Sequence, residues 1–150
     1  MSDLKTRLQT DLTGAIRARD EVTTATLRMA LAAVTTEEVA GSNARELSDD
    51  EVLKVLTREA KKRREAAEAF RAGNRPELAD RERAEGEVLD RYLPAQLSDE
   101  EVAELVRAAI AETGATGMPQ MGAVMKAAQA KASGRADGKR LSTEVRRQLS

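Results

Sequence analysis

The 150-residue chain has no cysteine, histidine or tryptophan, and its only aromatic residues are Phe70 and Tyr92. Without cysteine there are no disulfides, thiolate nucleophiles or cysteine zinc sites. Without histidine the commonest general base and the commonest transition-metal ligand are gone. Two aromatics, both at positions expected in the core, leave no platform on which unpaired bases could stack. No segment approaches the roughly 20 apolar residues of a membrane span, and residues 1–11 lack the apolar run of a signal peptide, so a cytoplasmic protein is expected. Sustained apolar/polar alternation is also missing, which predicts no strand and an all-α fold.

Apolar residues recur instead at helical spacing. Leu4, Leu8, Leu12 and Ala15 or Ile16 give one face of a first helix. Val22, Ala25, Met29 and Ala33, with Leu27, Leu31 and Val34, give a second helix apolar on more than one side. Ser48 to Glu51 forms a capping box that starts a third helix, whose buried side is marked by Leu53, Leu56, Ala60, Ala67 and Phe70. Gly73 is the expected left-handed terminator, and Pro76 suits the first position of a fourth helix. That helix must pack through its second half, around Val88, Leu89, Tyr92 and Leu93, and Pro94 is expected to stop it. A second capping box, Ser98 to Glu101, opens a fifth helix carrying Val102, Leu105, Val106, Ala109 and Ile110.

Two shorter helices follow. Met121, Val124, Met125, Ala128 and Ala132 form the core side of the sixth, with Ala123, Ala127 and Ala130 placed opposite beside Lys126. Leu141, Val145 and Leu149 mark the seventh, after a turn in which Gly134 and Gly138 supply permissive backbone angles. The expected organisation is a four-helix N-terminal domain over 1–93, a linker over 94–97 and a three-helix tail domain over 98–150.

The overall charge is −1, but it is unevenly placed. From residue 117 to the end, Lys126, Lys131, Arg135, Lys139, Arg140, Arg146 and Arg147 face only Asp137 and Glu144, a net of +5. The rest of the chain therefore carries −6. A basic tail on an acidic body suits contact with a polyanion through one end.

Three arrangements that resemble chemistry have structural explanations. Ser133 to Arg140 has glycines and a lysine before a helix but lacks the spacing, the following Ser or Thr and the preceding strand of a phosphate loop. The pairs Asp49/Asp50 and Glu100/Glu101 sit at helix starts, where they complement the macrodipole. Glu59 and Arg63, four apart on the apolar side of the third helix, read as an ion pair inside the bundle. No catalytic residue, metal site or cofactor is expected.

The run Met121-Gly122-Ala123-Val124-Met125-Lys126, then Gly134-Arg135-Ala136-Asp137-Gly138-Lys139 and the closing Val145 and Leu149, resembles the tail domain of the GatB/YqeY family. Ala15 to Asp20, Thr26 to Met29, Lys61 to Ala66 and Tyr92 to Ser98 are similar to stand-alone YqeY-like proteins. The chain departs from the family pattern at Gln120 and Ala123, which stand where an acid and a lysine are usual. The resemblance implies a link to tRNA and, through GatB, to the glutamine-dependent carbon–nitrogen ligase activity of the tRNA-dependent amidotransferase. The expected function is a tRNA-associated binding module that contacts RNA phosphates through the seven basic residues of the tail. The alternatives are an accessory to that amidotransferase, with the enzyme or a tRNA synthetase as partner, or a protein-interaction adaptor.

Overall fold

The computed structural model describes residues 2–150, which divide by their internal contacts into two compact units, the first ending at Leu93 and the second running Pro94–Ser150. The first unit contains α1 (Asp3–Ala18), α2 (Glu21–Glu38), α3 (Asp49–Ala72) and α4 (Pro76–Asp90). The second contains α5 (Asp99–Thr113), a single 3-10 turn (Met118–Gln120), α6 (Met121–Ala132) and α7 (Gly138–Leu149). No strand occurs among the described residues, so the fold is all-α. Among them no helix is long and apolar enough to cross a membrane, and no cluster of three or more acidic side chains could hold a metal ion.

Short-range hydrogen bonds set most helix starts. Ser2 accepts from the Lys5 amide at 3.0 Å, and its own hydroxyl donates to Asp49. Asp20 accepts from the Thr23 amide at 3.1 Å. Both expected capping boxes form, Ser48 with Glu51 and Ser98 with Glu101. Each satisfies two amide groups that a helix start otherwise leaves without partners.

The helix ends differ from expectation in two places. Gly73 has φ −82°, and the left-handed residue after α3 is Asn74 at φ 59°. The Asn74 amide donates to the Arg71 carbonyl and the Arg75 amide to the Phe70 carbonyl, so the terminating motif sits one residue later, on a side chain that tolerates this backbone region. Likewise α4 ends at Asp90, well before Pro94, because the amides of Arg91 and Tyr92 close tight turns onto the carbonyls of Val88 and Leu89. Tyr92 then lies against α1, its hydroxyl 2.5 Å from Asp11 and its ring centroid 4.6 Å from the Arg7 guanidinium carbon.

Leu8, Leu27, Val34, Val52, Leu56 and Leu89 form the centre of the first unit, with Ala30 and Ala60 buried among them. On α3 the buried side is turned towards Val52 and Val55, leaving Leu53 and Phe70 half-buried. Ile16 and Leu78 stay exposed. The expected Glu59–Arg63 pair is present at 3.4 Å, but Arg63 also reaches Glu82 at 3.3 Å and lies 3.9 Å from Glu85. One guanidinium therefore serves three carboxylates from two helices. Gly86 of α4 packs against Arg63 at this point, where an added Cβ would lie at an ordinary contact distance of 3.5 Å from the Arg63 Cβ.

The second unit packs Val102, Val106 and Ala109 of α5 against Val124, Ala128 and Ala132 of α6 and Leu141 and Val145 of α7. Each apolar stripe lies at steps of three and four, so each helix turns one face inward. Leu97 joins this core, held by its amide, which donates to the Arg135 carbonyl at 2.8 Å.

Candidate nucleic-acid interface

The basic tail is carried by α6, α7 and the turn between them. That turn takes its left-handed residues from Ser133, at φ 48°, and Gly134, at φ 77°. Gly138 contributes no such angle, contrary to expectation, because Asp137 caps α7 and makes Gly138 its first residue. Asp137 accepts from the Arg140 amide at 2.9 Å. Lys139 and Arg140 accordingly belong to the first turn of α7 and not to the loop before it.

The seven cations separate by what they touch. Lys131 pairs with Glu112 at 2.8 Å and Arg140 with Asp99 at 3.0 Å, so each binds its own helix to α5. Arg147 lies on Glu144, donating through both Nε and Nη2, and this contact holds the Glu144 carboxyl below its usual titration range. Arg135 donates from Nε to the Ala95 carbonyl at 3.0 Å while its own carbonyl accepts from Leu97, which makes it a clasp on the 95–97 segment. Among the described residues Lys126, Lys139 and Arg146 have no carboxylate partner, and all three are exposed.

Helix geometry places these three. On α7, successive residues are about 100° apart around the axis, so Lys139 and Arg146, seven residues apart, share one flank with about 10.5 Å of axial rise between them. Gln148 donates to the Ala103 carbonyl at 2.8 Å, which turns the Glu144/Gln148 flank towards α5. Lys139 and Arg146 project from the opposite flank, where no acid offsets them. On α6, Lys126 stands between the exposed Ala123 and Ala130, on the side away from Val124 and Ala128. Ala127, expected on that outer side, packs partly against the core instead, because the inward arc of α6 is wide enough to include it.

Sequence spacing held part of this arrangement, since Glu144 and Arg147 are three apart on one helix, a separation at which side chains meet. No local signal pairs Lys131 with Glu112 or Arg140 with Asp99, 19 and 41 residues away, because those contacts depend on how three helices pack. The departure at Gln120 also has a local explanation. Its side-chain oxygen accepts from the Gly117 amide at 3.0 Å and the Thr116 amide at 3.3 Å, so the neutral residue does the hydrogen bonding open to a carboxylate but supplies no charge.

An uncharacterized protein of Schizosaccharomyces pombe is 29% identical over 98 residues, covering 65% of this chain and 77% of that protein. The family described as Yqey-like protein matches residues 5–149, nearly the whole length, and the chain therefore belongs to the Yqey-like protein family.

Proposed function

We propose that the chain is a tRNA-associated binding module whose second unit meets RNA phosphates through Lys126, Lys139 and Arg146. The observation that carries this reading is the division among the tail cations. Lys131, Arg140 and Arg147 are matched to acids and Arg135 is tied to backbone, while these three are exposed with no acid beside them. An unpaired exposed cation can neutralise a phosphate, and release the counterions condensed on the RNA there, without first breaking an internal pair. Both aromatic residues lie before residue 94 and are half-buried, so recognition is by phosphate and shape and not by base stacking.

The test is titration of unfractionated tRNA with the full chain across several salt concentrations. Affinity should fall steeply with salt, and changing both Lys139 and Arg146 to Ala should lower the slope of log K against log salt by about two units. Changing Lys61 and Lys62, in the first unit, should have a smaller effect. Equal affinity in the wild type and both double variants, or no binding at low salt, would remove RNA from the reading and favour a protein-interaction role.

A further inference from the structure

A cleft of about 340 Å³ runs between α3 and α4 in the first unit, floored by the small residues Ala67 and Gly86. Its α3 wall carries Arg64 and Arg71 with Glu68 between them, a net charge of +1, and its α4 wall carries Glu82, Arg83, Glu87 and Asp90, a net charge of −2. The cleft is thus bordered by a net-basic wall and a net-acidic wall. Among the described residues, Arg64, Arg71, Glu87 and Asp90 nevertheless form no ion pair. Elsewhere in this unit acids and cations do close on one another, as Lys5 does on Glu38 and Arg45 on Glu51.

The cleft is also held in shape. Behind it Arg63 of α3 bonds Glu82 of α4 at 3.3 Å, and Glu82 itself lines the cleft, so the two walls are fixed to each other by a largely buried contact. Walls that are already positioned lose little further freedom when something occupies the space between them. Because Arg63 lies level with Glu82 and Gly86, Arg64 and Glu87 are offset by about one helical turn, and a molecule that bridges them needs charged ends roughly 5–10 Å apart.

We propose that the α3–α4 cleft binds a short zwitterion, of the chemical class of ω-amino acids and short peptides, with its carboxylate on Arg64 and its ammonium group on Glu87. Neither charge alone accounts for the site, since a simple anion would meet the acidic wall and a simple cation the basic one. The proposal is independent of the RNA reading, which concerns the second unit.

The experiment uses ε-aminocaproate as probe, with caproate and hexylamine as its two single-charge halves, titrated into the isotope-labelled full chain and followed by amide chemical shifts. Saturable changes confined to α3 and α4 are expected, with a dissociation constant on the order of 1 mM for the zwitterion and binding about tenfold weaker or more for each half. Arg64→Ala, and separately Glu87→Gln, should each abolish saturation while leaving the remaining amide spectrum and the helical signal intact. The proposal is overturned by halves that bind as well as the zwitterion, by saturation that survives either variant, or by shifts that stay linear in probe concentration.

Discussion

Replacing Arg63 with Met tests the account of the first unit most directly. The substitution keeps most of the side-chain volume and removes only the guanidinium. Glu59, Glu82 and Glu85, at 13%, 19% and 9% side-chain exposure, would then be left around an apolar stem. Breaking a buried pair by deleting one partner typically costs about 3–5 kcal/mol, because the charge left behind is out of water and uncompensated. Two features favour the lower end. Lys62 remains 3.3 Å from Glu59 and Arg81 remains 3.4 Å from Glu85, although both are mostly exposed and can give back only a fraction of a kcal/mol each. The Arg63 Nε is buried and 3.9 Å from Glu85, an electrostatic neighbour and not a hydrogen-bond acceptor, so its removal also relieves an unsatisfied donor. A loss of about 3 kcal/mol is expected, a large fraction of the roughly 5–15 kcal/mol that holds a domain folded. Urea unfolding should show a lower midpoint with an unchanged slope. Adding Glu82→Gln and Glu85→Gln to Arg63→Met should recover about half of the loss, since neutral amides leave no orphaned charge. A single variant within about 1 kcal/mol of wild type, or a triple variant no more stable than the single one, would refute the argument.

Two further outcomes follow from local geometry. Hydrogen bonds from Arg45 and from the Ser48 backbone lower the Glu51 carboxyl from its ordinary 4.5 to about 2, and the Ser98 amide holds Glu101 low in the same way. A carboxyl depressed on folding contributes stability that is fully present above its unfolded value and lost as pH falls through the folded one. Melting temperature should therefore drop between about pH 4.5 and 2, and Glu51→Gln should flatten that drop. Arg19 closes α1 at φ 57°, a backbone region that costs most non-glycine residues about 1 kcal/mol or more. Arg19→Gly should raise the melting temperature by a few degrees, and a decrease would show that the arginine side chain does more there than terminate a helix.

What could be read from sequence follows the range of the interaction involved. The capping boxes at Ser48 and Ser98 and the Pro76 start need only four neighbouring residues, and the apolar stripes of α5, α6 and α7 need only one helix. All of these are visible before any packing is known. The Glu59–Arg63 pair was visible for the same reason. Its extension to Glu82 and Glu85 was not, because it depends on the register of α4 against α3, as do the charges across the α3–α4 cleft. The shift from Gly73 to Asn74 is a one-residue question of where a helix runs out, and composition favoured the glycine. In the tail, charge counting found all seven cations, but only the bundle shows that Lys131, Arg140 and Arg147 are already matched.

The lodging of Tyr92 against Asp11 and Arg7 also determines what a spectrometer will see. Phe70 and Tyr92 are the only aromatic residues in the chain and both precede residue 94, so the second unit is silent in the near ultraviolet while both units contribute helix signal in the far ultraviolet. Burial first, and then the hydrogen bond to Asp11, push the phenol of Tyr92 above its ordinary value of 10.0. Tyrosinate absorbance at an ordinary tyrosine pH would thus report that the first unit has opened. Melting curves recorded at the two wavelengths on the same unlabelled sample separate the loss of one unit from the loss of the other.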